Sequence, residues 1–227
     1  MLEKILEYER DTFLWLNGNN NSFWDSFMWL YTGQVVWIPI LLLFIFLLFY
    51  KREWKEAVLI VLSFILLIAL CDQFSSSICK PYFSRFRPTH HPDFMDYVNI
   101  VNDYRGGQYG FISGHATNAF GFVTFAMLLF RNRLFTISIV LWGTLFVYSR
   151  IYLGVHFISD IIAGILSGML IGFGVYKLFV FSRHKILKRD DNPNNTYADL
   201  NLKFLVLGLL VTITFMLVFS FFRSATG

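Results

Sequence analysis

The sequence predicts an all-α fold: a six-transmembrane-helix bundle preceded by an N-terminal helix that lies along the membrane interface. Composition is the first observation behind this prediction. Hydrophobic residues make up 56% of the 227-residue chain and charged residues only 15%, whereas a soluble domain averages about 25% charged residues. The second observation is a series of six apolar segments, each close to the roughly 20 residues that a helix needs to cross a bilayer.

The six predicted spans follow one another closely, and polar residues separate them. The third and fourth are short and need flanking residues to cross a bilayer. No internal repeat or Gly/Ser-rich linker interrupts the series, so we expect residues 1–227 to form a single membrane-embedded domain. The spans are predicted at residues 32–50, 57–78, 116–130, 134–149, 157–181 and 204–222, and a turn-rich loop at 192–201.

The first 16 residues, MLEKILEYERDTFLWL, are expected to form an amphipathic helix. They alternate charged and apolar residues and lack the unbroken apolar core of a cleavable signal peptide. An apolar face opposite a charged face suits a helix lying in the membrane interface. A solvated helix that packs on its neighbours would show the same pattern, so both placements stay open. Aromatic residues typical of an interface lie nearby: Trp15, Trp24, Trp29, Tyr31 and Trp37.

The basic residues indicate how the bundle is oriented. The loops after the first, third and fifth spans carry ten Lys or Arg residues, against eight on the side of the two termini. Cytoplasmic loops are enriched in Lys and Arg, so residues 79–115 and 149–160 are expected to face outward. The ten residues are Lys51, Arg52, Lys55, Arg131, Arg133, Arg183, Lys185, Lys188, Arg189 and Lys203.

Three polar motifs meet this outer side of the predicted bundle. KPYFSRFRP (80–88) and GFISGHATN (110–118) begin and end the connection between the second and third spans, and SRIYLGVHFISD (149–160) joins the fourth and fifth. Guanidinium and ammonium groups match phosphate oxygens, and the start of a helix adds backbone N–H donors. The candidate phosphate-binding residues are Lys80, Arg87, Ser113, Gly114 and Arg150.

Two histidines and one aspartate are the candidate catalytic residues. His156 and Asp160 are four residues apart and share one face of a helix. The carboxylate can therefore hold the imidazole in one tautomer, which leaves its far nitrogen free to attack. His115 could serve as the acid for a leaving group. Taken singly, the motifs have structural explanations, because basic residues at span ends reach lipid headgroups and Ser113 can cap a helix.

The three motifs together resemble the signature motifs of the type 2 phosphatidic acid phosphatase superfamily, the integral-membrane lipid phosphate phosphatases. Ile112 stands where the second motif usually has proline. The matching residues are Lys80-x6-Arg87-Pro88, then Ser113-Gly114-His115, then Ser149-Arg150-x5-His156-x3-Asp160.

The resemblance implies a mechanism that needs neither a metal nor a cofactor. His156 would attack phosphorus and form a phosphohistidine while Asp160 orients its ring. His115 would protonate the leaving oxygen and then help to activate water. The cations, with Ser113 and the Gly114 amide, would hold the phosphate and stabilise its charge. HHPD (90–93) suggests a metal site, but adjacent histidines usually point apart.

The expected function is hydrolysis of a lipid phosphate or diphosphate at the outer face of a bacterial inner membrane. The expected partners are that lipid and the bilayer, with no nucleic acid. Undecaprenyl diphosphate is the preferred substrate because the size and layout are similar to bacterial members of the family with that assignment. Lipid A and phosphatidylglycerophosphate are the alternatives.

Three other classes of protein were weighed. A transporter would carry ionisable residues along its spans, whereas here only Asp72 and Lys177 lie deep. A haloperoxidase-like relative with a vanadate pocket would be soluble. A lipid-binding relative without activity would lack a reactive group, and all of them are present. Arg85 is left without a role.

Overall fold

Helices form almost all of the regular structure in a computed structural model that describes residues 2–50, 53–189 and 202–226. Within those ranges there is no β-strand, only one isolated bridge between Phe86 and Tyr109, and the all-α prediction is confirmed. Lys51, Arg52 and the predicted loop at 192–201 lie outside the described residues. The helices are α1 (Leu2–Asn17), α2 (Ser22–Thr32), α3 (Ile38–Phe49), α4 (Trp54–Asp72), α5 (Lys80–Phe83), α6 (Gly114–Phe130), α7 (Arg133–Tyr152), α8 (Ile158–Leu187) and α9 (Leu202–Thr226).

Four helical segments are long and apolar enough to cross a membrane. They include the predicted spans at 57–78, 134–149, 157–181 and 204–222. In the first of them a π-helical segment, Gln73–Cys79, joins α4 to α5, and such segments are frequent at functional sites. The four are Trp54–Phe83, Arg133–Tyr152, Ile158–Leu187 and Leu202–Thr226.

The predicted span at 32–50 is not one straight helix. α2 and the helical segment Val35–Phe49 meet at a bend of 66°. Gly33 has an extended backbone that ends α2, and Pro39 in the first turn of α3 suits the start of a new helix. α6 has only 17 residues because Arg131 ends it in a left-handed conformation. The described helices therefore give four spans, or five with the bent pair, and six spans are not confirmed.

α1 packs on the C-terminal end of α7 and the N-terminal end of α8. Phe13 is fully buried and contacts the rings of Phe94 and Phe157 at centroid distances of 5.5 and 5.4 Å. The Asn17 side chain donates to the backbone oxygen of Tyr152 at 2.8 Å, which anchors the end of the helix. α1 is thus an integral part of the bundle, and its place at a membrane interface stays a prediction.

Close contact between α6 and α8 brings the second and third motifs together. Three glycines of α8, at intervals of four residues, face the backbone of α6, as small residues do where membrane helices approach closely. A Cβ atom on Gly164 would lie 2.7 Å from the Ser113 oxygen, and one on Gly172 would lie 2.6 Å from the Gly121 oxygen. Between them, Gly168 abuts the Thr117 oxygen. The N-termini of the two helices therefore lie side by side.

This contact predicts opposite effects for two glycines of α8. Gly168→Ala should lower the melting temperature in detergent, because overpacking a close contact costs about 1–3 kcal/mol. Gly174→Ala is the matched control, since no atom lies within 4 Å of its added Cβ and alanine favours a helix by about 1 kcal/mol. Its melting temperature should stay equal or rise. Equal melting temperatures for the two variants would contradict the packing described.

Candidate active site

A short turn between α7 and α8 carries His156 into the interior. Gly154 in this turn has a φ of +72°, a left-handed conformation that glycine adopts without steric cost. The backbone N–H of Val155 donates to the Arg150 oxygen at 3.1 Å, which keeps the turn close to the end of α7. The side chain of His156 is only 2% exposed. The third motif thus delivers its histidine to a buried site.

The contacts of His156 define its tautomer. Nε2 lies 3.1 Å from Nη1 of Arg87, and a guanidinium group can only donate. Nε2 must therefore accept, so the ring proton is on Nδ1, which lies 3.3 Å from Oδ2 of Asp160. The same Oδ2 accepts the backbone N–H of Phe157 at 3.1 Å. The unprotonated nitrogen of the imidazole thus faces Arg87, and its electron pair accepts a hydrogen bond from that guanidinium.

Burial and neighbouring charges favour the neutral form of this imidazole. Removal from water has the largest effect in lowering the pKa of His156 well below its ordinary value, and the positive charge of Arg87 has the next largest. Arg150, His115 and Lys80 contribute in the same direction. Charged residues of the first and third motifs and the histidine of the second therefore lie near enough to His156 to act on its pKa, and the neutral ring is the favoured form at neutral pH.

The isolated bridge between Phe86 and Tyr109 holds the backbone of Arg87 in place. The backbone N–H of Arg87 donates to Gln108 O at 3.0 Å, and that of Gly110 donates to Arg85 O at 2.9 Å. The Arg87 guanidinium then donates to Tyr109 O at 3.2 Å and to Val155 O at 3.1 Å. This bridge aligns the first motif with the residues that precede the second.

Arg150 keeps one donor without a partner. Its Nη1 donates to Oγ1 of Thr32 at 2.9 Å, and its Nη2 to the hydroxyl of Tyr104 at 3.4 Å. Arg150 is 2% exposed, and its Nε has no hydrogen-bond partner among the described residues. Buried donors are nearly always paired. An anion in the site would supply the missing acceptor.

Lys80 approaches the site from the end of the π-helical segment. Its Nζ lies 3.3 Å from Oγ of Ser76 and 3.9 Å from the position that a Cβ on Gly114 would occupy. A Cβ at position 114 would be in ordinary contact with the ammonium group and would crowd Oγ of Ser75, at 3.0 Å. The first motif thus contributes a second cation, which lies beside the second motif.

Ser113 caps α6 and links it to α8. Its Oγ accepts the backbone N–H of Ala116 at 3.4 Å, and its own backbone N–H donates to the Asp160 oxygen at 3.1 Å. The backbone N–H of Ser113 is therefore already paired and cannot bind a phosphate. The hydroxyl proton of Ser113 is the donor of this residue that could contact a ligand. The half-buried His115 ring stacks on Phe146 at 5.9 Å and has no hydrogen-bond partner in the described ranges.

Sequence reasoning missed a buried ionic cluster behind Asp160. Arg85, which had no predicted role, donates to Oδ1 of Asp160 at 2.9 Å and to Oε1 of Glu9 at 2.7 Å. Side chains two residues apart in an extended segment point to the same face, and this rule could have suggested that Arg85 and Arg87 both point inward. Glu9 gave no comparable signal, because 76 residues separate it from Arg85. The HHPD motif does not extend this site: among the described residues, no three His, Cys, Asp or Glu side chains are grouped to hold a metal ion.

Comparison with known proteins agrees with this geometry. A family model described as PAP2 superfamily matches residues 57–184. The chain belongs to the PAP2 superfamily. It is 45% identical to the lipid A 4'-phosphatase of Porphyromonas gingivalis over 96% of this chain and 94% of that protein. The lipid A 4'-phosphatase of Bacteroides thetaiotaomicron is 39% identical, over 85% of each chain.

A solved structure is also similar to this PAP2 chain. The crystal structure of Aquifex aeolicus LpxE matches with a TM-score of 0.57 and 25% sequence identity, and the match covers 75% of this chain and 95% of that one. The similarity therefore includes the arrangement of the helices.

The tautomer of His156 predicts the effect of replacing Asp160. In Asp160→Asn the amide can donate to Nδ1, which moves the ring proton to Nε2 and removes the attacking electron pair. We expect turnover to fall by at least ~100-fold, as for orienting carboxylates in other enzymes. Phosphate release by the purified variant measures this.

The matched control is Asp25→Asn, which removes a carboxylate that accepts from the Tyr152 hydroxyl at 2.7 Å. It should retain wild-type turnover. Full activity in Asp160→Asn would be incompatible with the assigned tautomer.

Proposed function

We propose that this protein is an enzyme that removes a phosphate group from lipid A, acting at the outer face of a bacterial inner membrane. The observation that carries the reaction is the unprotonated Nε2 of His156, which accepts a hydrogen bond from Arg87 that a phosphate oxygen could take over. The buried Nε of Arg150, which lacks a partner among the described residues, is a further donor for the phosphate. A nucleophile next to donors for equatorial phosphate oxygens is the arrangement that phosphoryl transfer requires.

The substrate class rests on the relatives. Two proteins that match 96% and 85% of this chain are both named lipid A 4'-phosphatases. Lipid A therefore replaces undecaprenyl diphosphate as the preferred substrate, and the 4'-phosphate is the group we expect to be removed. Size and layout did not separate these substrates, because lipid phosphatases with different substrates share both.

An apolar cavity below the site supports a substrate with acyl chains. It has a volume of about 240 Å³, and Trp37, Phe44 and Leu205 are among the residues that line it. Trp142 in its wall stacks on Phe146 at 5.3 Å, and Phe146 in turn stacks on His115. The stacked rings of Trp142 and Phe146 thus separate the cavity from His115, the proposed acid. We expect acyl chains of the substrate to extend towards this cavity.

The proposed reaction has two steps. Nε2 of His156 attacks phosphorus and the bond from phosphorus to the lipid oxygen breaks. His115, which takes up a proton when the anionic phosphate offsets the surrounding cations, gives that proton to the lipid oxygen. Asp160 balances the charge that the His156 ring acquires. A water molecule then gives a proton to His115 and attacks phosphorus, which breaks the bond to Nε2 and releases inorganic phosphate. Lys80, Arg87, Arg150, Ser113 and the Gly114 amide hold the phosphate oxygens in both steps.

The membrane topology is part of the proposal. We infer six crossings, with the bent α2–α3 pair as the first, α6 as the third, and α1 at the outer interface. All three motifs lie at one end of the bundle. Basic residues at the other end support a cytoplasmic position: Arg183 and Arg189 pair with Glu56 at 2.7 and 3.0 Å. Residues 1–227 then form one phosphatase domain.

The first test is phosphate release by the purified protein in detergent with EDTA present. We expect release from lipid A, with mass spectrometry showing loss of the 4'-phosphate, and little from undecaprenyl diphosphate or phosphatidylglycerophosphate. His156→Ala should abolish it, because the substitution removes the proposed nucleophile. Release from undecaprenyl diphosphate alone would overturn the substrate assignment, and loss of activity in EDTA would overturn the metal-independent mechanism.

A further inference from the structure

The guanidinium of Arg85 lies between two carboxylates from distant parts of the chain. Nη1 contacts Oδ1 of Asp160 at 2.9 Å, and Nη2 contacts Oε1 of Glu9 at 2.7 Å; the Arg85, Glu9 and Asp160 side chains are 1%, 9% and 0% exposed. The guanidinium also lies over the ring of Phe157 at 4.6 Å. Water is largely excluded from this cluster, so its charges act on one another with little screening.

Glu9 uses both of its oxygens at the start of α8. Oε2 accepts the backbone N–H of Ser159 at 2.7 Å, and Oε1 accepts the Ser159 hydroxyl at 2.8 Å. The carboxylate is therefore fixed relative to the helix that carries Asp160. α1 thus contributes the Glu9 carboxylate, which binds Ser159, the residue immediately before Asp160 in the sequence.

We propose that Glu9 is a positioning residue that holds Arg85 against Asp160 and sets the net charge of the cluster behind His156. This inference rests on the proposed function. With both carboxylates ionised, Glu9, Arg85 and Asp160 carry a formal net charge of −1, which would balance the positive charge that His156 gains when it attacks phosphorus. Without Glu9 the three-residue cluster would be neutral, because Arg85 alone cancels Asp160. α1 is then a part of the active site and not only an anchor.

A purely structural role for Glu9 makes a different prediction. Glu9→Gln keeps the size of the side chain and an amide oxygen that can accept from Ser159, but it removes the charge. If Glu9 acts through Asp160, the substitution should matter only while Asp160 is charged. If Glu9 only anchors α1, the loss should be the same whether residue 160 is Asp or Asn. A double-mutant cycle separates the two.

The experiment measures kcat and KM for wild type, Glu9→Gln, Asp160→Asn and the double variant, with p-nitrophenyl phosphate as the substrate. This water-soluble ester reports the chemistry at His156 whichever lipid is the natural substrate. We expect Glu9→Gln to lower kcat by about tenfold, the scale of such indirect effects, with KM changed by less than about twofold. In the Asp160→Asn background the same substitution should change kcat by less than about twofold.

Two further variants complete the design. Glu7→Gln removes a charge from an exposed position of the same helix and should leave kcat unchanged. Glu9→Asp keeps the charge and should retain more activity than Glu9→Gln. This variant still tests the proposal if Glu9→Gln folds poorly. Wild-type kcat in Glu9→Gln, or an equal loss in both backgrounds, would overturn this inference alone. No hydrolysis of p-nitrophenyl phosphate or of any lipid by wild type would overturn the proposed function and this inference with it.

Discussion

Asp160 is the residue on which the rest of the site depends. Its carboxylate accepts from His156, from the Phe157 backbone and from Arg85, and its backbone oxygen accepts from Ser113. A Cβ on Gly110 would come within 2.8 Å of the same carboxylate. All three motifs therefore reach their positions through contact with one side chain and its backbone, and the close packing of α6 on α8 makes that contact possible.

The ionic cluster around Asp160 contributes little to the stability of the fold. Taking charged groups out of water costs several kcal/mol per ion, and the attraction between partners often does no more than offset that cost. Apolar packing offsets the cost of burying this cluster, as in the contacts of Phe13 with Phe94 and Phe157. A buried cluster does, however, hold the His156 ring in the tautomer that can attack.

The sequence predicted that the three motifs meet at one end of the bundle, because the order of the apolar spans places them there; the close packing of α6 on α8 then brings them into contact. It could not reveal the bend near Gly33, since a single glycine inside an apolar run does not distinguish a broken helix from a continuous one. Nor could it link Glu9 to Asp160, because 151 residues separate them and only tertiary packing brings them together. The sequence also could not predict that the backbone N–H of Ser113 is already paired, because its acceptor is the backbone oxygen of Asp160 on another helix.

The central claim is that His156 is the nucleophile, and trapping the intermediate tests it most directly. In His115→Ala with p-nitrophenyl phosphate, the first step should proceed because p-nitrophenolate leaves without a proton, whereas attack by water should be slow. Rapid quenching at alkaline pH, followed by mass spectrometry of the peptides, should then find a phosphoryl group on His156. Release of p-nitrophenolate with no phosphoryl group on the protein, or with one on another residue, would contradict the account.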